Sequence, residues 1–209
     1  MGLPLLHARF VTQLSLVVLL VCSTVGGLQA QEVANGVFLV ARPTLNDPTF
    51  RRTVILITQP PGSGPIGVIV NRPTALSVAD VLPAYKLIAA QTRKLHFGGP
   101  VQQRSLVFLV RTSEPPPRAV AVLRDVYMTT DADWVEAALG ESEAPLAASA
   151  VRVYAGYSGW VKGQLDNELE REGWYIVPAD SDVVFDKAPG EIWGELLKRA
   201  MFRNTQHNP

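Results

Sequence analysis

The chain has 209 residues, 47% of them hydrophobic, and its 19 Lys and Arg balance 19 Asp and Glu to a formal net charge of zero. That balance excludes the basic excess through which proteins hold nucleic acid, so nucleic acid is not an expected partner. The one cysteine, Cys22, lies in the N-terminal lead, and the rest of the chain can form no disulfide, thiol nucleophile or zinc–thiolate site.

Residues 1–30 have the pattern of a secretory signal. Arg9 is the only charged residue before Ala30, Leu14 to Cys22 is apolar apart from Ser15, and small residues offer cleavage after Gly27 or Ala30. The apolar core is shorter than the ~18 residues of a spanning helix, so contact with a membrane is expected only through this segment if it stays uncleaved. Residues 31–209 then form one domain, periplasmic or secreted, with a polar C-terminal tail from about residue 203.

Val37–Ala41 is an apolar run of strand length, suited to burial on both faces, and the β-branched Thr53–Thr58 suits a central strand. Pro60 to Pro65 turns the chain into a third strand, Ile66–Asn71. Ser77 is placed to cap a short helix through Leu82, and a polar connection leads to Leu95-His96-Phe97. Leu106–Val110 reads as a strand, Pro115-Pro116-Pro117 as a stiff surface loop and Tyr127–Thr129 as a short strand. Asp131 can cap a helix with Trp134, Val135, Ala138 and Leu139 on one face. Val151–Ala155 alternates as a half-buried strand, and Gly156-Tyr157-Ser158-Gly159 predicts a turn into a helix. Ser158 would cap that helix, Val161, Leu165 and Leu169 would face the core, and Gly173 would end it before the strand Trp174–Val177. Val183-Val184-Phe185 reads as extended, and Ile192, Leu196 and Ala200 mark one face of a final helix. Strands come in runs with helices inserted irregularly, which predicts an α+β fold.

Three motifs bear on chemistry. Gly62-Ser63-Gly64-Pro65-Ile66-Gly67 satisfies GxGxxG, but Pro65 interrupts it and a strand follows, so a hairpin loop is expected and no dinucleotide. Gly156-Tyr157-Ser158-Gly159-Trp160 has Trp160 where the hydrolase GxSxG turn needs glycine, and His96 is the one credible base. The same turn could hold an anion on free backbone N–H groups, which makes Tyr157, Ser158 and Gly159 candidate ligand-binding residues. Arg52, Asn71 and Arg72 stand at the ends of neighbouring strands, where they could receive an acidic ligand or pair with a local acid such as Asp47. Asp166, Glu168, Glu170 and Glu172 read as a solvated helix face, and the four tryptophans as core. No catalytic residue, cofactor or metal site is assigned; a small anionic ligand or a protein is the expected partner.

The blocks FLVARPTLNDPTFRRTVIL, GPIGVIVNRP, LHFGGPV, DVYMTT, AGYSGWVKGQLDNELEREGWYIVP and VFDKAPGEIW resemble the YqgE/AlgH family in order and separation. The resemblance implies a single α+β domain in which a bifurcated mixed β-sheet folds into a pseudo-barrel with helices packed outside. It carries no catalytic residue or cofactor with it. The functional expectation is an exported, non-catalytic binding or regulatory module. The alternatives are a cytosolic, transcription-linked regulator with an uncleaved N-terminus, and a hydrolase using Ser158 or His96.

Overall fold

The computed structural model describes residues 36–92, 94–140, 146 and 150–206; the expected signal segment lies outside them. Three antiparallel strands, β1 (Val37–Ala41), β2 (Val54–Thr58) and β3 (Ile66–Ile69), form the first leaf, with the GxGxxG stretch in the hairpin between β2 and β3. All three are almost wholly buried because helices cover both faces, which is why their sequences run apolar without alternation. A second leaf contains β4 (Pro73–Ser77), β5 (Lys94–Phe97), β6 (Val101–Arg111), β7 (Val120–Ala121), β8 (Val126–Thr129) and β9 (Val151–Gly159). β10 (Trp174–Pro178) returns to the outer edge of β1.

The joint between the leaves is β9. It pairs antiparallel with β6 through Val151 to Tyr157 and with β3 through Ser158 and Gly159, and parallel with β5 through Tyr154 and Ala155. The result is one curled, forked sheet in the order β10-β1-β2-β3-β9-β6-β8-β7, with β5 and β4 branching from β9. The parallel pairing of β5 with β9 makes it mixed, and its curl makes a half-barrel.

The helices are α1 (Val78–Val81), α2 (Lys86–Gln91), α3 (Ala132–Gly140), α4 (Gln164–Glu170), α5 (Ser181–Phe185) and α6 (Pro189–Gln206). Alternate residues of the sheet supply three cores. Phe38, Val40 and Leu56 meet Phe185, Ile192 and Leu196 of α5 and α6. Leu39, Ile55 and Ile57 meet Leu165, Trp160 and Trp174 beside α4. Phe108, Val110, Val151 and Val153 meet Val78, Ile88 and Val135 of the first three helices. Side-chain caps start two of the helices as expected: Asp80 N donates to Ser77 Oγ at 3.2 Å, and Trp134 N to Asp131 Oδ1 at 3.0 Å.

Several expectations are corrected. Gly156 to Gly159 is not a strand-to-helix turn, because the ladder to β3 carries β9 on to Gly159. Ser158 therefore caps nothing; α4 starts after Gly163, in left-handed backbone at φ 80°, and Val161 is 72% exposed. Gly156 is still required, for another reason. Its φ is 68°, and a Cβ there would lie 2.6 Å from both the Gly99 and Val101 carbonyl oxygens, so it marks the bulge where the sheet forks. Val183-Val184-Phe185 is helical, since Asp180 accepts a hydrogen bond from Val183 N at 3.0 Å and caps α5. Glu168 does not sit on a solvated face: its Oε2 accepts from the indoles of Trp160 at 3.1 Å and Trp174 at 3.0 Å.

Candidate functional site

The residues nominated from sequence fall into two groups that do not form one site. Asn71 is a backbone clamp: its Oδ1 accepts from Val54 N at 2.8 Å and its Nδ2 donates to the Arg52 carbonyl at 3.0 Å. Arg72 donates to the carbonyls of Thr49 and, at 3.1 Å, Arg51. The Arg52 guanidinium lies 4.8 Å from the centre of the Trp193 ring. Asp47, the expected local acid, instead accepts from Thr49 N and Phe50 N in its own turn. These groups hold the β2–β3 end of the first leaf. In the second group, Ser158 is 1% exposed and its hydroxyl donates to the Gly98 carbonyl at 3.3 Å. Gly159 is in the ladder with Ile66, and Tyr157 sits half-buried against the first core. The Ser158 hydroxyl is not bonded to His96, as a nucleophile would be to its base.

A different site stands out where β5 and β9 run side by side. Strand alternation puts Leu95 in the helix-covered core and turns Lys94 and His96 the other way; on β9 it does the same for Arg152 and Tyr154 against Val151 and Val153. His96 pairs with Tyr154 in register, with ring centres 5.5 Å apart, and Lys94 and Arg152 stand two residues back on their strands. Lys187, in the link from α5 to α6, completes a cleft of about 420 Å³. Among the described residues its walls carry three cationic side chains, one imidazole and no carboxylate.

The three cations differ in how they are held. Arg152 donates to the Val151 carbonyl at 3.0 Å and to the Phe185 carbonyl, with its guanidinium 5.4 Å from the Phe185 ring centre. Lys187 bridges to Glu195 Oε2 at 2.7 Å. Lys94 has no ion pair with an acid among the described residues. His96 is 7% exposed, and its Nδ1 is buried with no hydrogen-bond partner. Burial, then the charge of Arg152, pushes the imidazole down to about 4; the carbonyls of Lys94 and Val153 oppose this only in part. His96 is thus neutral at physiological pH, a desolvated ring on the wall of a positively charged cleft. Among the described residues no three His, Cys, Asp or Glu side chains gather as a metal site would need.

Sequence reasoning reached His96 only as a candidate base and missed Lys94, Arg152 and Lys187. The alternation on β5 and β9 is visible in the chain. The parallel pairing of two strands almost sixty residues apart, which assembles the cleft, is not.

A forked, curled α+β sheet with helices outside defines the class of protein. The chain belongs to the AlgH-like family, whose model matches residues 38–204. It is 36% identical over 176 residues to a UPF0301 protein of Mycobacterium avium (strain 104), covering 81% of this chain and 84% of the relative. It is 37% identical over 174 residues to a UPF0301 protein of Mycobacterium tuberculosis (strain ATCC 25618 / H37Rv), with the same coverage. Among solved structures, a Corynebacterium diphtheriae protein superposes with a TM-score of 0.67 at 26% identity, over 83% of this chain and 91% of that one. The solution structure of the AlgH protein from Pseudomonas aeruginosa superposes with a TM-score of 0.62 at 30% identity, over 78% and 87%.

Proposed function

We propose that this AlgH-like protein is an exported, non-catalytic binding module whose cleft between β5, β9 and the start of α6 receives a small anion. One observation carries the reading: Lys94, Arg152 and Lys187 converge on a cleft wall that, among the described residues, holds no carboxylate. Like charges gathered on low-dielectric walls raise the local concentration of a counter-ion, and an anion relieves their mutual repulsion. A volume of about 420 Å³ lies in the range of small-molecule sites. A buried serine bonded to a carbonyl and a histidine without a nucleophile favour binding over hydrolysis. Export rests on the charge-poor apolar lead of residues 1–30.

Thermal unfolding against a panel of phosphate, sulfate, citrate and acetate, at ionic strength matched with chloride, tests the binding. A ligand at ten times its Kd should add about 1.4 kcal/mol, or about 3–5 °C in Tm for a domain this size. No change beyond chloride with any anion would overturn the reading. Intact mass of the protein recovered from its native host tests export: a chain starting near Leu28 or Gln31 is expected, and a full-length cytosolic chain would refute it.

A further inference from the structure

The way each cation is held narrows the ligand class, an inference that rests on the anion-binding reading above. Carboxylates are best recognised by an arginine fork, two parallel N–H donors to two oxygens. Among the described residues Arg152 is the one arginine on the cleft wall, and both of its terminal nitrogens already donate to backbone carbonyls, those of Val151 and Phe185. It contributes charge to the cleft, and those two bonds to backbone carbonyls fix the direction of its guanidinium. Beside it on the wall stand the ammonium groups of Lys94 and Lys187, compact point charges with three rotatable donors each, of which Lys187 already spends one on Glu195. Such groups suit an oxyanion that presents several oxygens in different directions.

The charge of the wall agrees. Glu195 balances Lys187, and with no carboxylate among its described lining residues the cleft keeps an excess of positive charge. A dianion answers that excess better than a monoanion does. The cleft is also larger than a bare oxyanion needs. Gln91 and Thr92 supply donors and acceptors along one wall, and His96 is the one aromatic ring among the described lining residues, with no Phe, Tyr or Trp facing it to sandwich a base.

We infer that the cleft takes a phosphate monoester carried on a small, hydroxylated, non-aromatic body. A phosphoryl group offers three oxygens and close to two negative charges at neutral pH.

Isothermal titration of the full chain at about pH 7.5 and matched ionic strength, with glycerol 3-phosphate, glycerate, inorganic phosphate, acetate and adenosine 5′-monophosphate as probes, tests this. Glycerol 3-phosphate is expected to bind at least about tenfold tighter than glycerate, and inorganic phosphate tighter than acetate. Lys94→Gln should weaken glycerol 3-phosphate about tenfold with its denaturation midpoint unchanged, since Lys94 is exposed. Affinity should also fall several-fold between about pH 7.5 and pH 5 as the phosphate regains its second proton near pH 6, while glycerate stays level. Carboxylates binding as well as phosphates would overturn the phosphoryl inference and leave the anion reading standing. Tighter binding of adenosine 5′-monophosphate than of glycerol 3-phosphate would overturn the non-aromatic body. If no probe binds above chloride, both the inference and the reading beneath it fall.

Discussion

Acidification should destabilise this domain through His96, and the size of the effect follows from its burial. The folded imidazole titrates near 4, against an ordinary value of 6.5. Below 6.5 the unfolded chain takes up a proton that the folded chain refuses, so stability rises with pH across this window. The His96 contribution is complete above about pH 6.5 and is lost as pH falls toward 4. With each tenfold difference in proton affinity worth about 1.4 kcal/mol, the loss relative to pH 7 is on the order of 1 kcal/mol at pH 5.5 and 2 kcal/mol at pH 4.5. The groups facing the ring are Arg152, Lys94 and Tyr154. Burial raises the Tyr154 phenol far above its usual range, so it stays neutral across this window. Other groups that respond to acid, such as Asp186 and Glu195, whose ion pairs hold them low, cancel when wild type is compared with His96→Phe. Urea midpoints of the two proteins at pH 7, 5.5 and 4.5 read the difference directly. The variant, which also removes the unpartnered Nδ1, should gain on wild type by these amounts as pH falls. Parallel pH profiles would refute the reasoning, as would an imidazole NMR titration with a midpoint near 6.5.

Gly156→Ala should cost about 3 kcal/mol or more in chemical denaturation, because it combines left-handed backbone with contacts of 2.6 Å to two carbonyl oxygens. Gly159→Ala, whose Cβ would meet nothing nearer than the Tyr157 ring at 3.2 Å, should cost under about 1 kcal/mol; equal losses would refute the bulge assignment. Glu168→Leu should leave two indole donors unsatisfied and lose about 2–4 kcal/mol with a change in tryptophan emission, whereas Glu168→Gln keeps an acceptor oxygen and should lose less than half as much. Asn71→Leu should cost about 1–3 kcal/mol by orphaning Val54 N, without changing the anion response in thermal unfolding.

How far the chain could be read depended on whether a structure is specified locally. The β1–β2–β3 meander was legible because its runs of Val and Ile are bounded by Pro and Gly, and hairpins pair strands that are adjacent in sequence. The Ser77 and Asp131 caps were legible for the same reason. β4 and α2 were missed: Pro73–Ser77 is mostly exposed, and α2 has no side-chain cap to announce it. The Gly156–Gly159 stretch was misread because a glycine pair in a strand can signal either a turn or a bulge, and only the distant partners β3 and β6 decide between them. The candidate site was least legible of all. Its residues come from β5, β9 and the α5–α6 link, and sequence spacing says nothing about which strand forks from which.

The position of β9 in the forked sheet has a consequence for the newly made chain. β1 finds one neighbour almost at once in β2, but its other edge waits for β10, and β3, β5 and β6 all wait for β9. Long-range pairings of this kind are slow and leave strand edges open until the later partner arrives. The strands before β9 can pair only within β1–β2–β3, β4–β5 and β6–β8–β7, so the sheet of the folded domain closes only when β9 and β10 are available. Until both are in place the open edges of β1, β3, β5 and β6 are templates for pairing with another chain, so a truncation before β9 should aggregate rather than fold.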